Sequence, residues 1–576
     1  MPSASHGLPE AKEKSVTNAT ASDGDAGPKE LKNDTSEAMD EESIGALQQI
    51  LSRRQQILMF TLIWIFQFAM AFSSGIFRVL APYVTSSFQK HALTATTSVV
   101  ASIASGIIKL PYARLLDIWG RPQCMTAMVV CTVVGTAMMA ACRNVETYCA
   151  AQVLYNVGYY GIQFSMVVLI TDSVSLLHRG FLLGFISTPS IVTIWAYGPA
   201  TESILKTIGF RWGFGMWAIL IPVFYAPLMF ILFKYDRQAR DAGLIEDVKP
   251  RENSSWFNRV LYYCKEFDVV GLVLVGSGLC LVLLAISIYS YQTLGWKSPL
   301  IISFLVVGFS MLVGFLLYEK FLAPATFLPW AVIKDRTVVF TNIMAAALYT
   351  SEFLCSGYIY SMLIVSFHQS VTQAAYISNI YLVGASFWNV LLGVAFRYNG
   401  RIKYYALFMG IPFFVLGQGL MISFDMTSPS IALMVVCKIL ISFGGGTIYP
   451  IEHMTLMAVS QAHFPALPSL ESLIVDMGKG AGSAIATAIW TSLFRQKLAK
   501  NLPVSEMKHL AEIYGDLNKQ SSYPIGSEAR TAINRSYGET QRIIFISATA
   551  LLAVAWGAVV FWRDIDVKKS RTSKKV

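Results

Sequence analysis

The sequence predicts an all-α membrane protein whose 14 transmembrane helices fall into groups of six, two and six. Three observations carry that prediction. The 576 residues are 54% hydrophobic and only 14% charged, with mean hydropathy +0.52; the charge content is about half that of an average soluble chain. Apolar windows of about 20 residues, the length a helix needs to cross a bilayer, recur along the chain. Lys and Arg gather in alternate connections, which marks one side of the membrane as cytosolic.

Residues 1–54 read as a disordered, acidic cytosolic tail, because up to Gln49 ten Asp or Glu face four Lys and apolar residues are few. No cleavable signal is expected ahead of it, and the first span is expected to insert the protein. Residues 55–234 form the first six-helix half, with spans Ile57 to Phe77, Thr94 to Leu116, Met125 to Ala141, Tyr148 to Thr171, Phe181 to Thr201 and Phe214 to Phe233. Residues 235–268 are a basic cytosolic linker. Residues 269–318 hold two additional helices, Val269 to Tyr289 and Leu300 to Tyr318. Residues 319–562 form the second half: Val338 to Val365, Ala374 to Ala395, Tyr404 to Ile422, Ile431 to Ile448, Ser469 to Phe494 and Ile543 to Phe561. An external loop is expected at 495–541 and a basic cytosolic tail at 563–576. That loop carries an excess of cations and one sequon, Asn534-Arg535-Ser536, which makes Asn534 the glycosylation candidate.

The net charge of +10 does not point to nucleic acid, because the cations flank apolar segments instead of forming an aromatic-interleaved patch. The eight Cys residues show neither a CxxC pair nor metal-ligand spacing, and read as packing residues; Cys142 and Cys149 are the one pair placed for a disulfide. Gly444-Gly445-Gly446 lacks the Lys and Ser or Thr of a phosphate loop and reads as a hinge or close helix contact. No metal site, no ATP site and no enzymatic centre are expected.

The most specific string is Ala113-Arg114-Leu115-Leu116-Asp117-Ile118-Trp119-Gly120-Arg121-Pro122, between the second and third spans. A short connection there needs Gly120 for its turn, while Asp117 and Arg121 supply opposite charges for a latch. The string resembles the D-x-x-G-R loop of the major facilitator superfamily. The resemblance implies that Arg121 reaches Asp172, making Asp117, Gly120, Arg121 and Asp172 a cytosolic gate. The family's Gly four residues before the Asp is Ala113 here, Leu154 stands where many proton-driven drug exporters have Arg, and the second copy of the loop is reduced to Arg397-Tyr398-Asn399-Gly400-Arg401.

Further strings resemble fungal siderophore-iron transporters: Gln152 to Ile162, Thr171-Asp172-Ser173 followed by His178-Arg179-Gly180, Arg211 to Gly215, Lys265 to Gly271 and Tyr523 to Ser527. The likeness runs from about Arg53 to Trp562. It implies the major facilitator fold with alternating access, and proton-coupled import of ferric-siderophore chelates. The plasma membrane or endosomal vesicles are the implied location, with both termini cytosolic. Iron then travels as its chelate and protons are the coupling ion, with no resident cofactor, no nucleic-acid partner and a monomer in the bilayer. The alternative within the superfamily is a glutathione or xenobiotic exchanger for protons; the alternative outside transport is a membrane sensor.

Ionisable residues inside spans are costly to bury and are therefore functional candidates. Glu352, midway along its span, is the foremost proton-coupling candidate, followed by Asp476, Lys479 and Lys438. Asp476 and Lys479 lie three residues apart on one helical face and also read as a structural pair. Tyr155, Tyr159, Trp195, Tyr197, Tyr349, Phe353, Tyr376 and Trp388 share helices with polar residues, and are the candidates for an aromatic cavity with few full charges. Tyr523 of the external loop is a candidate for receiving the chelate.

Overall fold

The computed structural model describes residues 52–173, 176–241, 265, 268–322, 334–398, 401–424, 429–459 and 466–564. The expectations for the acidic tail, most of the linker and the basic tail fall outside these residues.

Among the described residues, fourteen long helices follow one another: α1 (Arg53–Ser87), α2 (Thr96–Trp119), α3 (Arg121–Ala141), α4 (Val145–Ser173), α5 (Leu176–Thr207), α6 (Gly209–Asp241), α7 (Val269–Ile288), α8 (Pro299–Phe321), α9 (Arg336–Ser356), α10 (Val371–Tyr398), α11 (Ile402–Met421), α12 (Ile431–Val459), α13 (Ala466–Asn501) and α14 (Glu528–Val560). Twelve of the fourteen are long and apolar enough to cross a membrane. The expected count of 14 also needs α5 and α13, and α13 holds Glu471, Asp476 and Lys479 among its apolar residues.

Helix ends follow local chemistry. Gly120 separates α2 from α3 with φ +93, and a Cβ there would lie 2.6 Å from Gln123 Oε1, so the turn requires glycine. Pro122 then occupies the first turn of α3, where a missing N–H costs nothing. Asp335 opens α9 by accepting from the Thr337 N–H at 2.7 Å, and Asp268 opens α7 by accepting from the Gly271 N–H at 3.3 Å.

Two apolar cores result. One is built from the first six helices and includes Phe66, Met70, Met125, Ile162, Phe214 and Leu228. The other joins α9 to α14 and includes Met344, Leu354, Phe414, Ile441, Trp490 and Phe545. The glycine triplet of α12 works by close contact: Cβ atoms would fall 2.7 Å from Gly410 O at Gly444, 2.5 Å from Tyr381 Oη at Gly445 and 2.6 Å from Ala385 O at Gly446. Glycine thus lets α12 touch α11 and α10 together.

The inserted pair does not simply bridge the halves in sequence. α7 lies along the seam between α2 and α13, where Val275, Leu279 and Leu283 pack with Val99, Ile103 and Ala484. α8 lies outside α7, with Ile301, Gly308 and Glu319 its buried residues, and Tyr318 on α8 donates to Asp268 at 2.7 Å.

The two halves also meet at the end of the bundle opposite the start of α1, here the loop end. The Thr372 N–H donates to Glu202 at 3.1 Å and Tyr376 donates to the Trp195 carbonyl at 3.0 Å, joining α5 to α10. Thr96 bonds Thr487 at 3.1 Å, joining α2 to α13. The expected 495–541 loop is largely helical: α13 continues to Asn501, the short helices Val504–His509, Leu510–Gly515 and Leu517–Ser522 follow, and α14 begins at Glu528. Polar residues turned inward account for the difference. Arg530 donates to the Gln520 and Val365 carbonyls, and Tyr537 to Gln520 Oε1 at 2.7 Å, so a helix that an apolar window stops at Ile543 runs on as a cap.

Candidate functional site

Between the halves lies a cavity of about 560 Å³, within the range of small-molecule sites. Helical spacing builds its walls. Tyr155 and Tyr159 are one turn apart on α4 and stack at 5.8 Å, and Tyr349, Glu352 and Phe353 share a face of α9. α5 contributes Tyr197, α10 contributes Asn379 and Tyr381, and α12 and α13 contribute Lys438 and Lys479.

Five of the eight expected aromatic residues line this cavity: Tyr155, Tyr159, Tyr197, Tyr349 and Phe353. The other three do not. Trp195 is 58% exposed on the outer face of α5 and packs on Tyr376 at 5.5 Å, while Trp388 donates to Thr447 at 2.9 Å and packs on Phe443. They share helices with cavity residues but occupy other faces, which residue type alone does not distinguish.

The cavity carries more charge than the aromatic reading expects. Glu352, Lys438 and Lys479 line it, as does Arg78 of α1, which the sequence reading missed. The apolar window stops at Phe77, whereas α1 continues to Ser87 and places Arg78 well inside the helix. Glu352 and Lys438 both line the cavity and feel one another's charge. Lys438 is only 4% exposed.

Asp476 bonds Lys479 at 2.7 Å, in keeping with the pair expected from their spacing, and it also bonds Lys109 of α2 at 2.7 Å. Lys109 further donates to Ser472 at 2.8 Å and lies 4.8 Å from the Tyr160 ring. One carboxylate therefore serves two cations at the seam between the halves, leaving a net positive charge. Lys109 lay inside an expected span, and only the α2–α13 contact reveals its role.

A second polar cluster begins behind Tyr349, whose hydroxyl donates to Glu452 at 3.1 Å. Glu471 meets His453 Nδ1 at 2.7 Å. Glu452, His453 and Glu471 present ligand-type atoms within 4.8 Å of one another, the one such group among the described residues. Glu452 falls just beyond the expected span ending at Ile448, and Glu471 lies at the start of the next.

The gate is described in part. Gly120 makes its turn and Arg121 opens α3, whereas the side chains of Asp117 and Asp172 lie outside the described residues. Tyr523 donates to Glu506 at 2.8 Å and packs under Lys519, so its hydroxyl is engaged within the cap; burial, then the Glu506 carboxylate, push it up to about 12. Asn534 is 8% exposed on the inward side of α14, which leaves no room for a glycan in the folded protein. Cys142 and Cys149 are free thiols.

Comparisons with known proteins agree with one another. The family model described as Major Facilitator Superfamily matches residues 63–337. MFS siderochrome iron transporter 1 of Ajellomyces capsulatus is 43% identical over 92% of this chain and 90% of its own length. Siderophore iron transporter mirB of Emericella nidulans is 33% identical over 92% of this chain and 88% of its own. Among solved structures, a variant of the peptide transporter POT matches with a TM-score of 0.55 at 13% identity, covering 88% of this chain and 95% of that one. A bacterial homologue of the human lysosomal transporter Spinster, inward-facing and unoccupied, matches at 0.50 and 13% identity, covering 91% and 99%. At such identities these two likenesses concern the fold alone.

Proposed function

Because the chain belongs to the fungal siderophore-iron transporter family of the major facilitator superfamily, we propose that it imports ferric-siderophore chelates across a cell membrane in symport with protons. The observation that carries the substrate is the 43% identity, over 92% of the chain, to a protein named as a siderochrome iron transporter. The cavity chemistry supports it. Arg78, Lys438, Lys479 and the tyrosine hydroxyls supply hydrogen-bond donors, and the aromatic faces supply apolar surface. An oxygen-rich chelate with an apolar periphery needs both.

In this reading all fourteen long helices are spans, both termini are cytosolic, and the protein works as a monomer in the plasma membrane or in endosomal vesicles. The loop-end contacts of Glu202 with Thr372 and of Tyr376 with Trp195 form the outer gate. The Asp117, Arg121 and Asp172 latch holds the opposite end when that gate opens. Chelate and proton enter together, and their binding shifts the balance between the two openings. Glu352 is the acid of the cavity and the first to take the coupling proton.

The test is uptake of a panel of iron-55 chelates by yeast lacking its own siderophore transporters and expressing this chain. Accumulation from at least one chelate, faster with an acidic exterior, is expected. Surface expression without accumulation from any chelate overturns the import. Proton movement opposite to substrate identifies instead a glutathione or xenobiotic exchanger.

A further inference from the structure

We propose that Tyr349, Glu452, Glu471 and His453 form the path by which the coupling proton leaves the cavity. The proposal rests on the proton-symport reading above and names the residues that carry it. Three observations define the path. Tyr349 lines the cavity and its hydroxyl donates to Glu452. Glu452 and Glu471 are each 1% exposed, and each has one carboxylate oxygen, Oε2 of Glu452 and Oε1 of Glu471, without a hydrogen-bond partner among the described residues. His453 bonds the other oxygen of Glu471, and its side chain is 37% exposed. The chain of groups thus begins at the cavity, crosses a buried carboxyl pair and ends at a partly exposed side chain.

Two buried acceptors with no donor are costly, and two adjacent carboxylates do not both ionise readily; a proton held on one of them relieves both penalties. Tyr349, Tyr381, Tyr449, Glu471 and Lys479 are the titratable groups that act on Glu452, from α9, α10, α12 and α13. Tyr449 also packs edge-on against His453 at 4.9 Å. The Lys479 ammonium opposes a metal cation at this cluster, and His453 Nδ1 is already engaged by Glu471.

The transfer balances at every step. Tyr349 takes up the coupling proton that Glu352 first held in the cavity as it gives its own to Glu452. Glu452 passes one to Glu471, which protonates His453 Nδ1, and His453 releases a proton to water. His453 is left with its proton on Nδ1 in place of Nε2, and exchange of the two through water restores it; one proton has then crossed.

The test uses the full chain in proteoliposomes, with an iron-55 cyclic trihydroxamate and a pH-sensitive dye inside. Glu452→Gln and Glu471→Gln are each expected to lower pH-driven uptake at least 10-fold while exchange of labelled for unlabelled chelate at equal pH continues, which also certifies folding. His453→Ala is expected to slow uptake and alter its pH profile. Infrared spectra of the purified chain give a readout independent of the chelate: the wild type shows a protonated-carboxyl band that Glu452→Gln and Glu471→Gln each diminish. The path is overturned if both variants keep full pH-driven uptake or an undiminished band. It is likewise overturned if manganese(II) or zinc(II) binds in calorimetry and Glu471→Gln removes that binding. A wild type that exchanges chelate without responding to a pH gradient refutes the symport reading instead.

Discussion

Three cations and one carboxylate share a cavity of about 560 Å³, and this imbalance holds whether Glu352 carries a proton or not. The site therefore favours ligands rich in acceptor oxygens. Arg78 is the most informative residue to change, since it faces the cavity while the surrounding α1 residues pack into the first core. A hydrogen bond to a charged group contributes roughly 1.5–3 kcal/mol, so Arg78→Gln is expected to raise the KM for an iron-55 chelate by roughly 10- to 100-fold, with surface expression maintained. Initial rates over a concentration series check this; an unchanged KM removes Arg78 from substrate binding. The sequence exposed Glu352, Lys438 and Lys479 as cavity groups because each is an ionisable residue in an apolar run. It concealed Arg78 at a window's edge, and it concealed Lys109, Glu452, Glu471 and His453 because their meaning depends on partners 18 to 367 positions away or across a helix contact.

Helices are where hydropathy reads best and where its blind spots show. The apolar windows located the helices, but not the start of α14, where Arg530 and Tyr537 are buried with partners in the cap. Nor did they separate a hinge from a contact at Gly444 to Gly446. The geometry makes a definite prediction there. Gly446→Ala places a methyl group 2.6 Å from the Ala385 carbonyl oxygen, and overpacking of this kind typically costs about 1–3 kcal/mol. A lower thermal midpoint in detergent is expected, whereas Gly419→Ala on α11, with nothing within 4 Å, should leave it unchanged. The cap carries its own pH dependence. Burial, then the Arg530 charge, hold His368 below its ordinary range, and the Arg530 Nη2 donates to its Nδ1 at 3.2 Å. The sign follows from linkage: in the unfolded cap His368 binds a proton more readily, so stability is present above the ordinary histidine value of about 6.5 and declines as pH falls below it. Limited proteolysis of the 504–527 segment should therefore be faster at about pH 5.5 than at about pH 7.5. His368→Asn, which tolerates the φ of +55, should flatten the difference.

As a whole molecule the chain is two packed halves joined along two seams, and the strengths of these seams bear on its cycle. The α2–α13 seam is fastened by Thr96 with Thr487 toward the loop end and by Lys109 with Asp476 farther along, and α7 lies over it. The α5–α10 seam is fastened at the loop end by Glu202 with Thr372 and by Tyr376 with Trp195. A typical hydrogen bond contributes about 0.5–1.5 kcal/mol net, so these few contacts together amount to a few kcal/mol. Ligand binding can shift an equilibrium of that size. Opening at the loop end must break the α5–α10 contacts if the halves rock as rigid bodies, so a covalent bond in their place should stop the cycle. In a background lacking the native cysteines, the double variant Glu202→Cys with Thr372→Cys is expected to accumulate iron-55 chelate when reduced and to lose at least 90% of that uptake, roughly the tenfold effect of a 1.4 kcal/mol barrier or more, once oxidation has cross-linked the population. Dithiothreitol should restore it, and each single variant should be insensitive to oxidation. Full uptake by a quantitatively cross-linked protein would show that α5 and α10 stay together at the loop end throughout transport, and would place the outer gate at the α2–α13 seam.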